Sequence, residues 1–254
     1  YLAYYFIHSK KIIEGLGGAT TFKFISKTKI SYFKIPLPPL PEQKKIAHVL
    51  KTIDDAIQAI EESISKLERI KKGTMEKLLT EGIGHTRFKE VDLNGRRVRI
   101  PEEWGVVRLG NALKVIRNGF SGKQNKHGKG IPITRIETIA NGKIDESKLG
   151  FVDNISKKDF EVYKLIPGDI LFSHINSLEH IGKVVIYEGF PPVLLHGMNL
   201  LLLRSKTFRL WSSFLFYLLT CYKENGVIKS IAKKAVNQAS VNQSDLKLLK
   251  IPLP

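Results

Sequence analysis

Four histidines, His127, His174, His180 and His196, are the side chains best suited to hold a transition metal, yet no two of them stand at the i, i+4 spacing that one helix face would bring together. A metal-dependent nuclease needs carboxylates beside a lysine. Glu146-Ser-Lys148 and Asp245-Leu-Lys247 fit by letter, but such triplets are common in a charged chain. Adenine methyl transfer calls for Asp or Asn, then Pro-Pro, then an aromatic ring. The Pro-Pro pairs, in Leu37-Pro-Pro-Leu40 and Phe190-Pro-Pro-Val193, lack both the polar first residue and the aromatic last one. Leu16-Gly-Gly18 is not a nucleotide-binding glycine loop, and no phosphate-binding Gly-Lys-Ser/Thr occurs. With Cys221 as the lone cysteine there is neither an intramolecular disulfide nor a Cys-based zinc site, which suits a reducing compartment. The sequence points away from catalysis, and no metal site is expected.

Binding chemistry is better represented. Base edges in a DNA groove are reached by Arg, Lys, Asn and Gln on loops that also meet phosphate. The densest candidate runs from Arg117 through Asn118, Lys123, Gln124, Asn125 and Lys126 to His127 and Lys129, with glycines that let the backbone approach a groove. Ser173, His174, Asn176 and Ser177 follow an apolar run; His196 and Asn199 form a shorter segment of the same kind; Lys233, Lys234, Asn237 and Gln238 set charge beside two amides. Arg135 is a further candidate, although Glu137 stands close enough to pair with it. A solvated polar loop is the plain alternative for each segment.

The overall charge agrees with a polyanionic partner. Lys and Arg number 41 against 24 Asp and Glu, a net +17 with a sequence pI of about 9.8. Phosphate neutralisation with counterion release makes nucleic acid the first candidate and an acidic membrane surface the second. The apolar stretch Phe190 to Leu203 is interrupted by Pro191, Pro192, His196 and Asn199, and Trp211 to Leu219 is too short, so no membrane span is expected. A hydrophobic content of 43% and 26% charged residues are those of a folded chain.

These loops need elements to hold them. Pro36-Leu-Pro-Pro-Leu-Pro41 is an extended stop that also prepares a helix, with Glu42 near its positive end. Ile46, Leu50, Ile53, Ile57, Ile60, Ile64 and Leu67 then recur at alternating spacings of four and three, the a/d stripe of a left-handed coiled coil. From Glu42 to Glu81 such a helix is about 60 Å long, and its seam calls for a partner helix. After a polar linker or small hairpin come short apolar runs: Val106 to Leu109, Ile131 to Ile136, Ile170 to Phe172, Val184 to Tyr187 and Leu200 to Leu203. Turn signals such as Asn141-Gly142 punctuate them, and Leu210 to Cys221 reads as helix.

The chain also repeats itself. Tyr217 to Pro254 aligns without gaps on Tyr1 to Pro38: Ile12 with Ile228, Ala19 with Ala235, Ile30 with Leu246, and Lys34-Ile-Pro-Leu-Pro38 with its identical counterpart Lys250 to Pro254. Gly17 to Thr21 differs from Lys233 to Asn237 except at the alanine. The expected organisation is therefore 1–41 as the closing remnant of one unit, 42–82 as a long helix, 83–103 as linker and 104–254 as a second, mixed α/β unit. The opening on Tyr1 within an apolar run is expected to be a cut through a domain.

Ile35-Pro-Leu-Pro-Pro-Leu-Pro-Glu-Gln43, leading into Ile46-Ala-His-Val-Leu50 and Ile53-Asp54, resembles the central conserved region of type I restriction-modification specificity subunits. Trp104-Gly-Val-Val-Arg-Leu-Gly110, Pro167-Gly-Asp-Ile-Leu171 and Ile181-Gly-Lys-Val184 resemble signatures of their target recognition domains. The resemblance implies a cytoplasmic, non-catalytic subunit in which two recognition domains, held apart by antiparallel helices, each read half of a split double-stranded DNA site. It implies as partners two methyltransferase subunits, which carry the S-adenosylmethionine, and restriction subunits. A coiled-coil assembly protein binding nucleic acid non-specifically, and a nuclease-like single-chain restriction protein, are the competing readings.

Overall fold

The computed structural model describes residues 1–16, 24–140, 142–206, 208–236 and 238–254. Ala19, the repeat segment 17–21, Asn141 and the candidate Asn237 lie outside the described residues. The chain divides into two units, Tyr1–Ile70 and Lys71–Pro254.

In the first unit, three short helices, Leu2–His8, Lys10–Gly15 and Lys27–Ser31, precede the long helix Leu40–Glu81, which continues into the second unit. The helix begins inside the proline run, where missing N–H groups cost nothing in the first turn, and the Gln43 side-chain amide donates to the Pro38 carbonyl at 2.7 Å. Beyond Glu81 the chain turns at Gly82, whose φ of +66° suits a residue without Cβ. Tyr4 donates to Asp54 at 2.6 Å, tying the first short helix to the long one. Of the described residues up to Ile70, Ser9 alone is buried. The heptad stripe lies open along the helix from Ile53 through Ile57, Ile60 and Ile64 to Leu67.

The second unit is built on a four-stranded antiparallel sheet in the order Val184–Ile186, Ile170–Ser173, Leu200–Ser205, Leu113–Asn118. Side chains alternate across a sheet, and here both faces are covered. Ile170, Phe172, Leu201 and Leu203 pack with the helix Ser212–Glu224, Leu246 and Ile251, whereas Leu171, Leu200, Leu202 and Val185 pack with Ile139, Leu165, Tyr187 and Leu194. Double coverage is why Leu200 to Leu203 is an unbroken apolar run rather than an alternating one. Met75 and Leu79, on the last turns of the long helix, join the first of these cores.

Over residues 83–103, read from sequence as linker or small hairpin, the hairpin forms. Phe88–Leu93 pairs with Arg96–Pro101, and Asn94 and Gly95 both have positive φ at the turn, the conformation this dipeptide favours in two-residue hairpins. Leu93, Ile100 and Trp104 give it a small core. The closing Lys250–Leu253 pairs antiparallel with Gly105–Arg108.

The repeat is carried into structure. Leu2–His8 corresponds to the last half of Ser212–Glu224, Lys10–Gly15 to the helix Val227–Ser230, and Lys27–Ser31 to the helix Gln243–Leu248. The caps correspond as well: Ser26 accepts from the Lys29 amide and its counterpart Asn242 from the Asp245 amide. Burial does not follow, because Ile228 and Leu246 are 0% exposed whereas their counterparts Ile12 and Ile30 are 63% and 41% exposed. The second copy lies against the central sheet; among the described residues of its unit the first has no sheet.

Candidate nucleic-acid interface

Strand register decides where the candidate loops emerge. Asn118 stands opposite Leu201, Ser173 opposite Leu200, and Phe172 opposite Val184. The segments after Asn118 and Ser173 and those before Val184 and Leu200 therefore leave the same end of the sheet. Residues distant in sequence thus share one surface for a backbone reason.

Two crossings lace the loops together. The Phe120 amide donates to the His196 carbonyl at 2.8 Å and the Met198 amide to the Phe120 carbonyl at 3.0 Å. A Cβ on Gly197 would stand 1.9 Å from the Thr134 carbonyl oxygen and one on Gly119 would stand 2.0 Å from the Gly197 oxygen, so both positions require glycine. The second crossing is a three-stranded ribbon in which Ile175–Asn176 pairs with Ala239–Ser240, and that with Lys233–Lys234. It brings the lysine pair beside the Ser173–Ser177 loop and leaves Val236 at its tip 99% exposed.

The candidate side chains divide into three groups. Asn118, Lys123, Lys126, His127, Lys129, Ser177, Lys233, Lys234 and Gln238 are exposed, and Gln124 and Asn199 are half-buried at the same end. A second group is committed inward. The Asn125 amide donates to the Lys129 carbonyl and to Asp153, each at 3.0 Å, while its oxygen accepts from the His127 amide, so this residue folds the loop. Asn176 bonds Ser173 and the Ser177 amide in the same way, and Arg117 donates to the Val162 carbonyl at 3.0 Å. A third group is removed from the surface: Ser173 and His196 are buried. His196 reads from sequence as a loop donor, but its Nε2 is 2.9 Å from the Leu200 carbonyl and its ring lies within the crossing.

Burial lowers the His196 pKa to about 4, and Arg117 and His174 add charge repulsion to that effect, while the Leu200 carbonyl opposes it. His174 is lowered too, chiefly by burial against a raising contact from the Asn199 backbone. Both imidazoles are neutral structural groups near neutral pH.

Two clefts open on this end of the sheet. One of about 340 Å³ is lined by Lys148, Ser173, Asn176, His180 and Lys183; its neighbour of about 290 Å³ is lined by Gln124, Arg135, Met198 and Asn199, and Ile136 and Glu137 border both. Lys183 is the lining group that sequence reasoning missed, while His180 and Glu137 were in view only as one of four histidines and as a pairing partner for Arg135. Lys183 stands inside Ile181-Gly-Lys-Val184, where its letter was in view but its position was not. The Pro167-Gly-Asp169 motif is structural: buried Asp169 binds Arg204 through both oxygens, at 2.6 and 2.7 Å, and accepts the Ile166 amide at 2.9 Å.

A doubly covered antiparallel sheet that gathers basic, amide-bearing loops at one end, joined to a long helix with an open apolar seam, defines a mixed α/β module with a long helix. The family model for the type I restriction modification DNA specificity domain matches residues 1–69 and 101–254, and the chain belongs to this family. It is 57% identical over 167 residues to a putative type I restriction enzyme MjaX specificity subunit of Methanocaldococcus jannaschii, covering 66% of this chain and 38% of that one. The MjaVIII specificity subunit of the same organism is 29% identical over 265 residues, covering all of this chain and 59% of that one. The chain thus spans well under two thirds of the length of these relatives. A solved type I restriction-modification S subunit from M. genitalium has the same fold at a TM-score of 0.56 and 16% identity, over 98% of this chain and 60% of that one. No described helix is long and apolar enough to cross a membrane.

Proposed function

We propose that the module 104–254 reads one half of a bipartite double-stranded DNA site for a type I restriction-modification complex. The spacer helix 42–82 fixes the distance to a second recognition domain, to which residues 1–41 contribute the closing part. The observation that carries this reading is the convergence of the exposed Lys123, Lys126, Lys129, Lys233 and Lys234 with Gln124 and Gln238 at one end of a rigid sheet. Lysines there hold phosphate, and a side-chain amide can donate to adenine N7 while its oxygen accepts from adenine N6 in the major groove. The chain acts without a catalytic group of its own, in the cytoplasm; S-adenosylmethionine and methyl transfer belong to two modification subunits, and cleavage to restriction subunits. Membership of the specificity family favours this over a non-specific coiled-coil binder.

Binding to duplex DNA should fall steeply with salt. Roughly six phosphate contacts give a log–log slope of about −5, a loss of about 10³ between 50 and 200 mM salt. Selection from a random duplex pool should return one half-site. A flat salt response, or a pool without enrichment, would overturn the proposal.

A further inference from the structure

Glu137 is out of keeping with its surroundings. Among the described residues it is the sole carboxylate lining either cleft at the loop-bearing end of the sheet, and it borders both, amid Lys148, Lys183, His180 and Arg135. An anion at the centre of a surface built for phosphate weakens every duplex alike, unless it meets a donor on a particular base. Its placement is fixed. Glu137 sits on the 3₁₀ turn Ile136–Thr138, closed by buried Thr138, which accepts from the Arg135 amide at 3.2 Å and donates to the Arg135 carbonyl at 2.6 Å. The Arg135 Nε meets the Glu137 carboxylate at 2.7 Å, and the two side chains remain 28% and 38% exposed. Burial pulls the Glu137 carboxyl upward, but its own backbone amide, Arg135 and Lys126 outweigh that and hold it below its ordinary value, so it stays ionised at neutral pH.

We infer that Arg135 and Glu137 act as one reading unit for a C·G base pair, the carboxylate accepting from cytosine N4 while the guanidinium donates to guanine O6 or N7. A C·G pair presents that donor and those acceptors side by side in the major groove. Adenine offers an amino group as well, but its N7 acceptor lies next to N6 and repels a carboxylate, whereas cytosine carries only C–H beside N4. The inference rests on the proposed DNA-reading role and adds to it the base pair and the residues.

The test uses the full-length subunit in its assembled complex, with a panel of duplexes in which each base pair of the selected half-site is replaced in turn. The wild type should discriminate about tenfold or more at one C·G position, and Glu137→Ala should abolish that discrimination while leaving the other positions intact. The same variant should bind a scrambled duplex about two- to fivefold more tightly, because it removes an anion that repels phosphate. Glu137→Gln, which keeps an acceptor oxygen but no charge, should share the gain on the scrambled duplex and retain part of the discrimination. An unchanged profile for Glu137→Ala, or equal losses on selected and scrambled duplexes, would reduce the pair to a brace for the 3₁₀ turn and overturn the inference alone. A wild type without any base preference would overturn the DNA-reading role, and the inference with it.

Discussion

At the scale of single residues, a polar letter in a loop segment meant three different things. Lys126 reached solvent, Asn125 spent its amide on Lys129, Asp153 and His127, and His196 was buried under the loop crossing. Sequence identifies a donor but not the partner it finds. For His196 this fixes a pH dependence. Its pKa falls from 6.5 in the unfolded chain to about 4 in the fold, so on acidification the unfolded state takes up the proton first. The stability that neutral His196 confers is complete above about pH 6.5 and is lost as pH falls toward 4. Between pH 7 and pH 5 the wild type should lose about 2 kcal/mol through this residue. His196→Gln keeps a donor for the Leu200 carbonyl and does not titrate in this range. Urea unfolding at the two pH values should show a correspondingly smaller drop for the variant, and parallel drops would mean that another group governs acid stability.

At the scale of elements, legibility followed the range of the interactions involved. The long helix was visible because a heptad stripe is a local pattern, and the strands because Ile170 to Phe172 and Leu200 to Leu203 are apolar runs between turn signals. That these runs form a sheet covered on both faces, and that their loops emerge at one end, was not visible, since register is set by pairing between distant strands. The Asp169–Arg204 pair was hidden for the same reason, its partners standing 35 positions apart in sequence. The helix itself carries a prediction. Ile57 is 49% exposed on the open seam, so Ile57→Asp should change the stability of this chain by no more than about 0.5 kcal/mol. In an assembled pair of helices the same carboxylate would be buried without a partner, at a cost of several kcal/mol. Thermal unfolding of the chain should therefore be unchanged while association through the helix falls by two orders of magnitude or more. A variant that assembles like the wild type would show that this seam is not the pairing face.

At the scale of the whole molecule, the net +17 charge and the repeat are two faces of one design. Helix-for-helix correspondence between Tyr1–Pro38 and Tyr217–Pro254 keeps the scaffold constant, while Lys233, Lys234 and Gln238 fall where the two copies diverge. On the proposed reading, charge supplies affinity that is blind to sequence, and divergent amides supply the difference between one half-site and another. The two contributions separate by mutation. Lys126→Ala and Lys234→Ala should weaken binding to selected and scrambled duplexes equally and flatten the salt slope by about one unit each. Gln124→Ala and Gln238→Ala should cost about 1–3 kcal/mol on the selected half-site alone, with the slope unchanged. Asn125→Ala, which loosens the loop that carries Lys126 and Lys129, should weaken both duplexes as a lysine variant does and also erode the discrimination that Gln124 provides. Titrations of each variant at several salt concentrations, in the assembled complex, read all three patterns. Equal losses on both duplexes for Gln124→Ala and Gln238→Ala would mean that these segments only position the protein on phosphate and that the sequence is read by other groups.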